Sequence, residues 1–176
     1  NSLGLKLVFS DKDPETKTPT RIYKVVRVEV EYRILFVDTF DNVENSTKLW
    51  IPERKCSLTI RDGKAILTIP TEKPDWAYVR SNITVISNIT KSIYFAYKFK
   101  GLTITSKYWI ALIDMNGEWY KYPESTKAPM DFTVNIYQVS INNPIRYMFL
   151  GVSGKDHPTV VYDWVILFTY NTTENK

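Results

Sequence analysis

Period-two alternation dominates this chain. Leu3, Leu5, Leu7 and Phe9 share one face of the opening segment, with Gly4, Lys6 and Val8 opposite, the pattern of a strand with one apolar face. Residues 10–21 follow with Pro14 and Pro19 among Asp, Lys, Glu and Thr, and with no apolar face to bury they read as an extended linker. The predicted organisation is therefore an N-terminal strand over 1–9, a linker over 10–21 and a body over 22–176. In the body, Val26, Val28, Val30, Tyr32, Ile34 and Phe36 alternate with Arg27, Glu29, Glu31 and Arg33. Residues 58–60 and 65–69 flank Asp62-Gly63, a strong hairpin signal. Further strands are predicted near 78–85, 93–99 and 108–113, the last turning at Asn116-Gly117 into 119–122. Residues 132–141 and 145–152 form a candidate pair joined at Asn142-Asn143-Pro144. The final strand has Val160, Tyr162, Trp164, Ile166, Phe168 and Tyr170 on one face and Val161, Asp163, Val165 and Leu167 on the other.

Nine or more strands with a turn signal every ten or so residues imply a sandwich or barrel. The expected fold class is all-β, an antiparallel two-sheet sandwich of jelly-roll type with a detached N-terminal strand. No segment carries a convincing helical period; residues 106–115 are the one ambiguous stretch. No internal repeat is visible.

Composition agrees with that reading. The 176 residues are 14% aromatic and Ala occurs five times, a balance that suits pleated strands better than helices. Net charge is +4, from 23 basic and 19 acidic residues. No Lys/Arg run exceeds two residues, so the footprint of a nucleic-acid binder is missing. Cys56 stands alone, which excludes an intrachain disulfide. No apolar run approaches the ~20 residues of a membrane span. The chain opens on Asn1, as expected where a leader has been removed or the start is artificial.

The body resembles a known architecture. Residues 36–42 read Phe-Val-Asp-Thr-Phe-Asp-Asn, followed by Trp50, the Asp62-Gly63 hairpin and a late Asp163 inside an apolar strand. This order is similar to that of concanavalin-type (laminin-G-like) jelly rolls over roughly residues 34–170. The resemblance implies the sandwich and a choice among lectins, glycanases and adhesive modules, and so fixes no function. Glycanases of that type carry three acidic residues alternating on one strand, because hydrolysis needs two opposed carboxylates. Here the nearest match is Glu29-Val30-Glu31 between Arg27 and Arg33, which lacks the third member and reads as a solvated strand face.

Other chemistry is thin. His157 is the single histidine and sits in a polar loop, and nothing suggests a group to orient it toward Cys56. Cys/His metal sites are excluded by count, and the six glycines form no phosphate-binding loop. Asp38, Asp41 and Asp163 are weak candidates to gather as oxygen ligands for Ca²⁺, with turn and cap roles the plainer reading. The expectation is a protein that is not an enzyme and has no cofactor.

Four Asn-x-Ser/Thr sequons, at Asn45, Asn82, Asn88 and Asn171, point to N-linked glycans and an extracellular or cell-surface location. Asn45, Asn88 and Asn171 are expected in turns or the tail, whereas Asn82 is the least secure because strand residues follow it. The opening strand has two destinations: its own sheet, or the sheet of a neighbouring copy. Repeated head to tail, the second builds a homopolymeric filament. In this, residues 3–9 resemble the donor strands of archaeal thread-type pilus subunits, with Leu3, Leu5, Leu7 and Phe9 as the subunit-binding side chains. The alternative function is a secreted carbohydrate-binding or adhesive module for surface glycans. Trp50, Trp76, Trp109, Trp119 and Trp164 then become candidate stacking faces; most are expected in the core, and Trp76 and Trp119, near turns, are the pair expected to be exposed.

Overall fold

A computed structural model of the chain describes residues 2–5, 27–71, 75–83, 93–141 and 143–175; for strand residues 2–5, 27–31, 122, 124 and 170–175 it describes the backbone alone. The chain divides into two compact units, Asn1–Arg33 with Thr169–Lys176, and Ile34–Phe168. The protein is all-β, with two antiparallel sheets forming a sandwich.

In the smaller unit, β1 (Ser2–Leu5) pairs antiparallel with the start of β2 (Arg27–Asp38). Leu3 lies opposite Val30 and Leu5 opposite Val28. The described part of the opening strand is thus hydrogen-bonded within its own chain, the arrangement set against donation to a neighbour. Leu7 and Phe9 lie outside the described residues. Glu29 and Glu31 sit at alternate positions of β2, facing Gly4 and Ser2 in register.

In the larger unit, one sheet runs through β4 (Ser57–Arg61), β5 (Lys64–Thr68), β12 (Thr159–Asn175), β7 (Ile93–Gly101) and β10 (Thr133–Val139). The other sheet has the order β3-β6-β11-β8-β9, where β3 is Trp50–Glu53, β6 Trp76–Ser81, β8 Lys107–Asp114, β9 Trp119–Lys127 and β11 Ile145–Ser153. Alternation explains the layers. From the first sheet Leu67, Phe95, Tyr97, Phe99 and Tyr162 point into a common core, and from the second Trp50, Val79, Ile110, Leu112, Leu150 and Val152 meet them. The ambiguous stretch 106–115 is strand β8. Arg61 pairs with Lys64 across Asp62 and Gly63, both at positive φ (50° and 63°), as a two-residue hairpin of the type that suits twisted strands requires.

Three expectations are corrected. The 132–141 and 145–152 segments do not pair: β10 bonds to β7 and β11 to β6 and β8, so the connection through Pro144 passes from one sheet to the other. The final strand does not keep one face along its length. A register shift between Tyr162 and Trp164 leaves Asp163 as an extra residue, a bulge that exchanges the faces; Val165 and Leu167 are buried, while Trp164, Ile166 and Phe168 are half-buried. Finally, a short helix α1 (Val43–Leu49) follows β2, with the Asn42 side chain accepting from the Asn45 amide as N-cap. Asn45 is therefore on a helix rather than in a turn.

Candidate functional site

The five-stranded sheet has two unlike faces. Alternate positions on β6, β8 and β11 send Ala77, Val79, Tyr108, Ile110, Leu112, Met148 and Leu150 inward. The intervening positions turn outward and are unusually aromatic: Trp76 and Tyr78 on β6, Trp109 on β8, Tyr147 and Phe149 on β11, and Trp119 at the start of β9. Trp109, Ala111 and Phe149 are buried there as a second apolar cluster, with Tyr78, Ile113 and Tyr147 packed against it.

Gly151 organises this face. It is in register with Trp109 on one side and Tyr78 on the other. A Cβ added at Gly151 would fall 2.0 Å from Cε2 of the Trp109 indole, so the ring lies over the bare backbone of β11. Trp109 is 3% exposed and forms a floor. Trp76 and Trp119, at 36% and 54% exposure, stand beside it, so the expected exposed pair is exposed. Trp76 meets Trp109 edge to face at 6.2 Å and carries the Arg54 guanidinium 3.5 Å over its ring, while Trp119 rests on Phe149 at 4.8 Å.

A cavity of about 530 Å³ opens above the floor, walled by Trp76 and Trp119 and lined besides by Asp75, Lys107, Lys121, Ser125, Ser153, Gly154 and Lys155. That volume lies within the usual range for ligand clefts. Three connections close one end: the segment before β6, the β7–β8 loop and the β11–β12 loop. The Gly154 amide donates to the Asp75 carbonyl, and the Thr105 hydroxyl donates to the Lys155 carbonyl. Ser125 and Ser153 hydrogen-bond each other across β9 and β11. The Lys121 ammonium is 5.0 Å over the Trp109 ring. On the opposite flank Arg80 is bound to Glu53 at 2.6 Å. Burial, and then the neighbouring Glu53 carboxylate, raises the Tyr78 hydroxyl above its ordinary range, so it stays a neutral donor.

Trp119 is held by a buried carboxylate. Asp114, at the end of β8, accepts from the Asn116 and Glu118 amides at 2.9 Å and from the Asn143 side chain at 2.8 Å. Burial opposes its ionisation, but the bonds from Asn143 and the two amides outweigh burial and hold the carboxyl below its usual range. The Asn116-Gly117 turn is thereby fixed and the β9 indole placed against Phe149.

The remaining candidates are elsewhere. Asp38 accepts from the Phe40 amide, the Ser46 hydroxyl and the Trp50 indole, which makes it a cap and core anchor. Asp163 is bound to Lys98 at 2.6 Å, with Lys64 at 3.8 Å, and Asp41 is exposed beside Gly63. The three do not gather, and among the described residues no group of three acidic, Cys or His side chains could hold a metal ion. Burial pushes the Cys56 thiol up to about 12, so it is a protonated core residue. His157 instead lies against the Ile69 carbonyl at 3.3 Å. Trp50 is core, and Trp164 is half-buried on the other sheet. Among the sequons, Asn45 and Asn82 are exposed; Asn82 follows β6 and is better presented than expected. Asn171, expected in a turn or the tail, lies in the last part of strand β12, and Asn88 lies outside the described residues. No helix of the described residues is long and apolar enough to cross a membrane.

The sequence named Trp109 only among five candidate tryptophans, most of them expected in the core, and did not point to Gly151 or the three lysines. They come from separate strands and loops, and only the sheet order brings them together.

No family model matches this chain, and none of the curated proteins is similar to it. Solved structures are similar in fold. A carbohydrate-binding module of family 29 superposes with a TM-score of 0.53 at 13% identity, over 78% of this chain and 88% of the module. A mutant of CBM29-2 complexed with cellulohexaose has a TM-score of 0.53 at 14% identity, over 78% of this chain and 91% of that one. An agarase, AgWH50C, has a TM-score of 0.57 at 14% identity over 77% of this chain, and PfGH50B a TM-score of 0.53 at 11% identity over 69%. The chain spans 24% of the agarase and 22% of PfGH50B. The likeness is one of fold, a jelly-roll sandwich shared by carbohydrate-binding modules and domains of larger enzymes.

Proposed function

We propose that this protein is a carbohydrate-binding module and that the outer face of its five-stranded sheet is the binding surface. One observation carries the reading: two exposed indoles, Trp76 and Trp119, flank a floored groove whose remaining lining is hydroxyl, carboxylate and ammonium. Pyranose rings present apolar C–H faces and polar edges, so a site for them needs flat aromatic walls with hydrogen-bonding groups between. Asp75, Ser125 and Ser153 are such groups. The resemblance in fold to family 29 modules, one of them complexed with cellulohexaose, supports the same reading.

Binding without turnover is the mode this lining favours. Glycoside hydrolysis by the usual route needs two opposed carboxylates, and Asp75 is the described carboxylate of the groove. The exposed sequons Asn45 and Asn82 lie off the groove and fit a secreted glycoprotein. Ser2–Leu5 pair with β2 of the same chain, and the likeness in fold to carbohydrate-binding modules supports the binding reading better than the filament.

Calorimetric titration with cellohexaose, and with hexasaccharides of other linkage, tests the proposal. Trp119→Ala is expected to weaken whichever sugar binds by about 30-fold, the scale of truncating an interface anchor. Unchanged affinity in that variant would move the site elsewhere.

A further inference from the structure

We infer that the glycan recognised by this face is anionic, a pyranose chain bearing carboxylate or sulfate groups; the inference rests on the binding reading above and specifies its substrate class. The groove is lined by three ammonium groups, Lys107, Lys121 and Lys155, against one described carboxylate, Asp75. Among the described residues none of the three lysines is bound to a carboxylate, whereas Lys48, Lys64, Lys98 and Arg80 all are. A fourth cation, Arg54, is stacked on the wall at Trp76.

A neutral sugar would gain little from this arrangement. Hydroxyls are served well by amide and carboxylate side chains, which accept as well as donate, whereas an ammonium can only donate. Three ammonium groups around one cleft, with no carboxylate partner among the described residues, instead raise the local potential and attract anions. Their placement fits a chain of sugars better than a point anion. Lys107 and Lys155 border the end where Gly154 meets Asp75, and Lys121 lies over the Trp109 floor beside Trp119. Charged groups on successive sugars could then meet successive lysines while alternate rings lie on the indoles. Carboxylate and sulfate offer the same chemistry to an ammonium, so the shared class is an acidic polysaccharide.

The full chain should be titrated with three probes of equal length: hexagalacturonate for carboxylate, a carrageenan hexasaccharide for sulfate, and cellohexaose as the neutral reference. At least one acidic probe is expected to bind about tenfold more tightly than cellohexaose at low salt, with the advantage shrinking as salt shortens the screening length. Whichever acidic arm binds names the group. The triple variant Lys107→Gln, Lys121→Gln, Lys155→Gln is expected to lose that advantage and the salt dependence with it. Cellohexaose binding as tightly as both acidic probes would overturn the inference and leave the carbohydrate-binding reading standing. No binding of any probe would overturn both. Retention of the acidic preference by the triple variant overturns it as well, because the charges would then lie elsewhere. So would polyglutamate binding as tightly as the acidic sugars and indifferent to Trp119→Ala, which marks attraction of any polyanion.

Discussion

The two sheets of the larger unit turn very different outer faces to solvent. On the larger sheet Lys98 and Lys64 share the Asp163 carboxylate, and the Lys98 and Lys100 ammonium groups lie 5.2 and 4.8 Å over the Phe132 ring. On the smaller sheet Lys107, Lys121 and Lys155 have no carboxylate partner among the described residues and surround exposed indoles, with Lys121 over the Trp109 ring. A face that neutralises its own cations has little left to offer a ligand, whereas one that leaves cations and flat apolar rings side by side keeps the cost of an unfilled site. Exposed aromatic surface with charge that lacks a carboxylate partner is a poor choice for stability alone, and the carbohydrate-binding proposal rests on that contrast.

The largest effect expected of this contrast comes from removing the walls. Trp76→Ala with Trp119→Ala should abolish measurable glycan binding, since each truncation alone is worth roughly 2 kcal/mol at an interface anchor. The matching change on the other face, Phe132→Ala, should leave binding unaltered. Loss of binding in Phe132→Ala would break the assignment of faces. A second substitution works through the floor. Gly151→Ala places a methyl where the Trp109 indole now lies, and displacing the ring should cost about 1–3 kcal/mol of stability by overpacking. It should also weaken the sugar, because the floor shifts beneath it. Chemical denaturation and titration of the same variant measure both, and an unchanged midpoint would mean that the ring is not held as described.

Acid should reach the smaller sheet through its turn. Asp114 has a folded-state pKa below the ordinary value, so its contribution to stability is present above about pH 4 and is lost as pH falls through the lower folded value. The turn that places Trp119 should loosen over that range, with glycan affinity and Trp119 fluorescence changing together. Asp114→Asn should begin from a less stable hairpin and show a flatter profile. Parallel acid curves for the two proteins would remove Asp114 from the account.

Much of this contrast was legible in the chain, and what was not has a common cause. Alternation located the strands, Asp62-Gly63 located a hairpin, and nearness to turns marked Trp76 and Trp119 as exposed. Each of these is a local property. Alternation says which residues share a face, but it does not name the partner strand, so 132–141 and 145–152 looked like a hairpin although Pro144 leads across the sandwich. Nor does it show where one extra residue reverses the faces, as Asp163 does in β12. Helix α1 was missed because seven residues span two turns, too few to display a period; its available signals were the Asn42 cap and Glu44 in the first turn. The floor of the groove was hidden for a different reason. A strand apolar on both faces, such as β8, reads as doubly buried, and Trp109 counts as one more core residue until Gly151 is known to lie beneath it.

The smallest expected effect falls on the opposite face and tests the paired half of the contrast. Asp163 is the shared partner of two lysines, at 21% side-chain exposure against 36% for each lysine. Partly exposed pairs of this kind contribute little, because solvent screens the attraction and ordering two long side chains offsets much of the gain. Asp163→Asn should therefore lower stability by no more than about 1 kcal/mol. The consequence for ligands is more informative. Freed of their carboxylate, Lys98 and Lys64 would resemble the unpaired lysines of the smaller sheet in charge but would lack exposed indoles in a groove. If ammonium groups alone made a glycan site, the variant would gain a second one, visible as a second binding event in calorimetry with hexagalacturonate. The expected result is a single event of unchanged affinity, because charge attracts a sugar chain to a face and aromatic walls hold it there. A second event would transfer the recognition from the tryptophans to the lysines.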